Sequence, residues 1–319
     1  NWTGQLRMGE KDEYMSRNEP MAAQEEYKNP WEKISDSPML AQAEQLLQAN
    51  DIEESAQNLE AADYILQGMS VGPEAEAVNH QASMNFYTFA SQVWKQIGWQ
   101  DHTKEDAVDA ETDAMAKSLT GEEIALPFES EMLLKQIEAD ADLAQMYADI
   151  RQQMVEQMYD QAEEGNITSD QLQGMKVVQA GFRILGAMAG RRQYQLPVET
   201  ESGMKVVNLT MQTGGVEARG ITIRMAAGVH GMLQAQIRMD EAGTCTGEIL
   251  GGSSEANTWL AGQTDAFREL LAGSEYADAA VALGESRTAA RGTNGGADTQ
   301  KLCRAAIFFV KAMAKLTDI

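Results

Sequence analysis

A histidine and a cysteine share one alternating stretch, "GVHGMLQAQIRMDEAGTCTGEIL", from Gly228 to Leu250. An imidazole within reach of a thiol can take its proton and make it a nucleophile. His230 and Cys245 would form such a pair if the fold brought them together across a turn. No third group to orient them is evident, and a cysteine in a strand ordinarily behaves as a small buried hydrophobe. The other histidines, His80 and His102, are scattered, and neither Cys245 nor Cys303 belongs to a Cys-x-x-Cys pair. A metal site needs three or four ligands at suitable spacing, which this pattern does not supply. The run "GGSSEANTW" places glycines ahead of a helix, as phosphate-cradling loops do. It lacks the Lys-Ser/Thr ending of a P-loop and the Gly-x-Gly-x-x-Gly of a dinucleotide site, so it reads as a turn and a helix cap. The carboxylates of "DAVDAETD" have no apolar surround to raise a pKa for acid–base work. The sequence therefore offers no catalytic, cofactor-binding or metal-ligating residues, and a non-enzymatic protein without a cofactor is expected. Its partner-binding residues are not identified by type or spacing.

Any partner is constrained by charge. The formal net charge is −24, and it is unevenly placed. Residues 1–195 carry 35 Asp/Glu against 14 Lys/Arg, whereas residues 196–319 carry 14 against 11. A field of that sign repels nucleic acid and anionic lipid and suits a basic protein partner. No apolar run approaches the roughly 18 residues of a membrane span, so no membrane insertion is expected. The first residues show no basic-then-apolar leader pattern. Two cysteines make no disulfide framework and suit a reducing compartment; one bridge between them stays open.

The elements that would position these residues fall into an α+β order: an all-helical N-terminal region, then a small mixed sheet packed on a helix. Residues 1–36 read as a weakly ordered acidic segment, 37–195 as a helical domain, 196–290 as an α+β domain, and 291–319 as a linker and a C-terminal helix. Ser37-Pro38 opens "MLAQAEQLLQAN", with the serine as N-cap and proline at the first helical position. Asp51 and Glu54 have the spacing of a capping box for "NLEAADYILQGM", and Gly68 would end that helix. Helical spacing joins Val78, Ala82, Phe86, Phe89, Val93 and Ile97 over 74–97, and a further helix is expected over 129–163. Gly165-Asn166 would end it, and Ser169 or Asp170 would open the next, which carries Leu172, Met175, Val178, Phe182, Leu185 and Met188.

The pattern changes at Gly190-Arg191-Arg192. Val207, Leu209 and Met211 alternate with polar neighbours, as do Ile221, Ile223 and Met225, and then Leu233, Ala235, Ile237 and Met239; each set suits a strand. "DEAG" turns the chain into "TCTGEIL", and Gly251-Gly252 breaks that strand. Ser253 or Ser254 would cap a helix whose apolar face holds Trp259, Leu260, Ala266, Phe267, Leu270 and Leu271, ending at Gly273. "YADAAVALG" reads as a closing strand, 286–298 as a polar linker, and "TQKLCRAAIFFVKAMAKL" as a helix whose apolar residues need a surface to cover.

This order over Gly220 to Gly284 resembles the C-terminal domain of the flagellar hook-length control protein family. The segment "MAAGVHGMLQAQIRMDEAGTCTGEILGGSSEANTWLAGQTDAFRELLAGSEYADAAVALG" follows the family layout of strand, glycine turn, amphipathic strand, short turn, strand, helix and final strand. "AFRELL" is similar to the family's leucine-rich helix, and Gly231 matches its turn glycine. His230 stands where the family carries leucine, and the resemblance covers about a fifth of the chain. It implies a secreted length-measuring protein, present in the cytoplasm and exported through the flagellar secretion system. Its C-terminal domain would contact the cytoplasmic part of the flagellar export gate and switch export from hook to filament substrates. The alternative is an acidic helical adaptor or scaffold that shares this interaction module and has no flagellar role, because fold alone does not fix function.

Overall fold

The computed structural model describes residues 30–69, 85–97, 126, 128–163, 165, 167–201, 203–214, 217–240, 243–285 and 298–317. The acidic stretch at 99–118, the first part of the helix expected over 74–97, most of the 1–36 segment, most of the 286–298 linker, and His80 and His102 lie outside the described residues.

Helices α1 (Pro30–Ser35), α2 (Leu40–Ala49), α3 (Ala56–Met69), α4 (Phe86–Gln96), α5 (Ser130–Glu138), α6 (Leu143–Glu163) and α7 (Ser169–Gly190) come first. They gather on α7, whose Phe182 is fully buried. Its ring meets Phe86, Trp94 and Phe128 edge-on at centroid distances of 5.2, 6.4 and 6.2 Å and stacks on Tyr147 at 5.8 Å. Edge-to-face rings add directional attraction to area burial. Gly181, one residue earlier, makes room for this cluster: a Cβ there would stand 1.9 Å from the Phe86 ring.

Several helix boundaries differ from the sequence reading, each for a local reason. Ser55, not Asp51, caps α3, because its hydroxyl accepts the Asn58 N–H (3.2 Å) while Asp51 takes a left-handed turn at φ 55°. Ser37 does not cap α2 directly; its hydroxyl accepts the Met39 N–H (3.1 Å) and donates to Asp63. Gly68 does not end α3, which runs through Met69; its missing side chain lets Gln195 approach, since a Cβ there would stand 3.0 Å from Gln195 Nε2. Thr168 opens α7 through a full capping box with Gln171. The single helix expected over 129–163 is two, broken where Asp140 adopts φ 53° and Asp142 Oδ1 accepts the Ala144 N–H (3.0 Å). Aspartate tolerates the left-handed region better than most side chains, and "EADADL" supplies one for the break and one for the restart.

After Arg192 (φ 57°) the chain enters β1 (Gln193–Thr200), β2 (Gly203–Gly214), β3 (Glu217–Ala226), β4 (Met232–Met239), β5 (Cys245–Gly251) and β6 (Ala280–Leu283). They form one sheet in the order β1-β2-β3-β4-β5-β6, antiparallel except for the parallel β5–β6 pair. The register lines up three rows on one face. They run Leu196–Val207–Met225–Leu233–Gly251, Tyr194–Leu209–Ile223–Ala235–Ile249–Leu283, and Met211–Ile221–Ile237–Gly247–Val281. The expected alternation of Val207/Leu209/Met211, Ile221/Ile223/Met225 and Leu233/Ala235/Ile237/Met239 is thus the inner face, and all ten are buried.

Between β5 and β6 run α8 (Ser254–Gly262) and α9 (Thr264–Ala272). One helix was expected here; Gly262 and the Thr264 hydroxyl, which donates to the Ala261 carbonyl (2.8 Å), divide it. Last comes α10 (Thr299–Leu316), capped by Asp298 Oδ1 accepting the Gln300 N–H (3.0 Å). Its Leu302, Ile307, Phe309, Val310, Met313 and Leu316 are all buried within this chain. The helix lies against the inner face, with Cys303 Sγ 4.0 Å from Met211 Sδ and Phe309 6.0 Å from Phe267 of α9.

The fold is therefore mixed helix and sheet, but the expected arrangement of a helical half and a terminal sheet on a single helix is corrected. The sheet lies in the middle of the described chain, with α10 following it and covering it. On the opposite face, α3 packs over β1 and β2. Gln195 Nε2 donates to Ile65 O (2.9 Å) and Asn208 Oδ1 (3.1 Å), and Asn208 Nδ2 donates to Gly68 O (3.1 Å). Two buried amides thus meet carbonyls at the open end of a helix. Tyr87 of α4 adds a bond from its hydroxyl to the Gln195 carbonyl. One hydrophobic core runs through helices and sheet without a break at residue 195.

Among the described residues no carboxylate is paired with Arg151 or Arg183. Gly186 of α7 packs on Tyr147 of α6, and one turn away in this antiparallel pair Arg183 comes opposite Arg151. Burial, and then the like charge of Arg183, hold the Arg151 guanidinium below its ordinary pKa. Replacing Arg183 by Glu should raise stability by up to about 1 kcal/mol in urea denaturation, the range of a partly exposed ion pair. Phe182→Ala should lower it by about 3–5 kcal/mol.

Candidate functional site

Where β3 leaves the sheet, the chain makes one 3-10 turn, Gly228–His230, before β4. Gly228 (φ 54°) and Gly231 (φ 73°, ψ −146°) both have positive φ, which glycine adopts without steric cost. Three backbone bonds fix the turn: Ala227 N–H to Gly231 O (2.7 Å), His230 N–H to Ala227 O (3.1 Å) and Gly231 N–H to Gly228 O (3.1 Å). Between these glycines Val229 is held out with 97% of its surface exposed, while the His230 ring lies flat on Trp259 of α8 (centroids 4.0 Å apart, planes 12° from parallel). The turn thus presents a branched apolar side chain to solvent beside a stacked imidazole–indole pair.

Helix α8 is fastened to the same end of the sheet. Asn257 Oδ1 accepts the Gly251 N–H (2.8 Å), and Asn257 Nδ2 donates to Gly251 O (3.2 Å) and Ser253 O (2.9 Å). Gly251 and Gly284 permit this fit, since a Cβ on either would meet α8 at 2.4 Å or less. The glycine-serine run "GGSSEANTW" is thereby a structural joint. The Gly252 N–H goes to Met232 O (3.2 Å) and the Ala256 N–H to the Ser253 hydroxyl (3.1 Å), which is the expected cap. Glu255 folds back on its own N–H and the Ser253 and Ser254 hydroxyls, which hold its carboxyl below the usual range. The first turn of α8 is thus met by the chain's own oxygens.

His230 and Cys245 are not brought together. Cys245 pairs with Met239 at the far end of the β4–β5 ladder, whereas His230 lies beyond the Leu233–Gly251 end. Six residues of strand separate those ends, about 20 Å at roughly 3.3 Å per residue. Both thiols are free and buried, and no disulfide links them. Burial pushes Cys245 up to about 11, helped by Glu275 and Asp240, and pushes Cys303 up to about 12, helped by Asp140. Cys303 belongs to a junction that residue spacing did not reveal. Its thiol lies 3.9 Å from Asp140 Oδ1, which also accepts from Arg192 Nη1 (2.9 Å), so the α5–α6 turn, the α7–β1 turn and α10 meet at one carboxylate. Asp140 and Arg192 each spend a left-handed backbone conformation on reaching it. Among the described residues no group of three or more His, Cys, Asp or Glu is placed to hold a metal ion, and no helix is long and apolar enough to cross a membrane.

Sequence reasoning singled out His230 and Gly231 but not Val229 or the Trp259 stack. The available signal was Val229 itself, an apolar residue in a turn between two glycines. Comparison of the chain with protein-family models, with curated proteins and with solved structures finds no match.

Val229→Lys should leave the melting temperature unchanged, whereas Gly231→Ala should cost about 1–3 kcal/mol for forcing a side chain into a positive-φ extended conformation that is essentially glycine's. Cys245 and Cys303, with ordinary values of 9.0, and Tyr194, raised from 10.0 to about 12 by burial, ionise more readily unfolded than folded. Above about pH 9 the unfolded chain holds fewer protons, so stability should be level below that pH and fall as pH rises towards 12. A denaturation series from pH 7 to 11 checks this, and a thiol reagent at pH 8 should label neither cysteine until the chain unfolds.

Proposed function

We propose that this chain is a non-enzymatic protein-binding component of the flagellar export system. In this reading it resembles hook-length control proteins, and its β3–β6 segment contacts the cytoplasmic part of the export gate to regulate hook length or substrate switching. The observation that carries the reading is the succession of strand β3, a glycine turn, strand β4, a tight turn, strand β5, helices α8 and α9, and strand β6. Gly231 stands at the turn, and Val229 is presented beside Trp259. The acidic charge of the first 195 residues, suited to a basic protein partner, belongs to the same proposal. So does localisation in the cytoplasm, with export through the flagellar secretion system.

A second reading is favoured by the charge distribution: an acidic helical adaptor that uses the same module on a basic protein outside the flagellum. It keeps Val229 as an anchor and places the selective pressure on the 35 acidic residues of the first 195.

Removing the gene from its flagellated parent should give overlong hooks without filaments, and re-expression of the Val229→Asp chain should fail to restore them. Val229→Asp should also weaken binding to the purified cytoplasmic domain of the export gate at least tenfold. Normal hooks in the deletion strain would end the flagellar reading and leave the adaptor.

A further inference from the structure

The two edges of the sheet are treated differently. Strand β1 carries Pro197, and α5 and α7 pack beside it. Strand β6, "AVAL", is the other edge, and although it is only four residues long it carries no charge, proline or bulge of its own to oppose pairing. Because the Gly284 N–H donates to Ile249 O (2.9 Å) in the parallel register, residues 282 and 284 turn their backbone groups toward β5. The alternating residues Val281 and Leu283 then aim N–H and C=O outward, and among the described residues no strand lies beyond them. Helix α9 overhangs this edge, and Thr264, Phe267, Arg268 and Leu271 form a groove with β6 of about 180 Å³.

A row of outward backbone donors and acceptors is complementary to another extended backbone, and a groove under an overhanging helix is complementary to side chains on one face of it. The charge at the groove is also ordered. Arg268 is paired with Asp265 (3.3 Å), whereas Asp278 and Glu285, exposed just before and just after β6, have no ion pair among the described residues. We infer that the outer edge of β6 beneath α9 is a peptide-binding site that takes an extended segment as a seventh strand. That segment has apolar residues at alternate positions to fill the groove and Lys or Arg at its ends to face Asp278 and Glu285. This surface is separate from the Val229 turn, and the inference does not rest on the flagellar reading.

The test selects peptides from a random dodecapeptide display library on the full chain and measures synthetic copies by fluorescence anisotropy. Alternating apolar sequences with basic ends should be enriched. Val281→Pro, which removes one outward N–H and leaves the bonds to β5 intact, should weaken them at least tenfold. On the ligand side, N-methylation at alternate positions should abolish binding in one register and spare it in the other, an outcome that does not depend on how the proline variant folds. Asp278→Lys with Glu285→Lys should weaken binding severalfold, and more so at low salt. No enrichment, equal binding to the Val281→Pro chain, or equal tolerance of N-methylation in both registers would each overturn the inference.

Discussion

The inner face of the sheet is the constraint on which the rest depends. Three rows of side chains, from Leu196 to Gly251, Tyr194 to Leu283 and Met211 to Val281, cross the strands with hardly a polar atom between them. An apolar surface of that extent is driven out of water, and α10 is the main element that covers it. The position of α10 then determines much else. Its lower end meets the Asp140–Arg192 junction through Cys303, and its outer flank is tied to α5 by Lys311–Glu131 (2.7 Å) and Arg304–Glu138 (3.7 Å). Its Phe309 sets where α9 lies. Those ion pairs are half exposed and contribute little by themselves; the burial beneath them holds the arrangement.

The opposite face works by another principle. There the contact between helix and sheet is partly polar, and it is specific because amides are directional. Gln195 and Asn208 reach carbonyls of α3, and Gly68 lets them approach. An apolar patch would accept α3 in several registers, whereas these bonds accept one. Away from β1 and β2 this face changes character: it is lined by polar side chains, with Arg224 exposed and Thr222, Gln234, Gln236 and Glu248 half-buried.

Much of this was legible in the residues. Period-two alternation identified β2, β3 and β4 and the face each would bury, because burial on one face of a pleated strand leaves that mark directly. Helical spacing identified Phe182 and Met188, and the terminal amphipathic helix was recognisable by its need for cover. What it would cover was not, because the partner surface is assembled from strands up to about a hundred residues earlier. Helix ends were the least legible. Asp140, Ser55 and Thr168 decide them through short-range bonds that compete with equally plausible neighbours such as Asp51 and Ser169. The pairing of His230 with Trp259, rather than with Cys245, depends on strand length. A histidine at one end of a ladder and a cysteine at the other look close in a hairpin sequence and are about 20 Å apart in space.

The placement of α10 also has a consequence for how the chain is made. The helix follows, in sequence, every strand it covers, and Lys311 finds its partner 180 residues back at Glu131. During synthesis the six strands therefore emerge before the surface that shields them. A nascent chain with its β-hairpins formed still presents the Leu233–Ile237 rows to its surroundings until α10 is released. Such late, long-range closure slows folding and lengthens the time in which sheet faces can meet other chains. A helper that shields apolar surface would matter most in that interval.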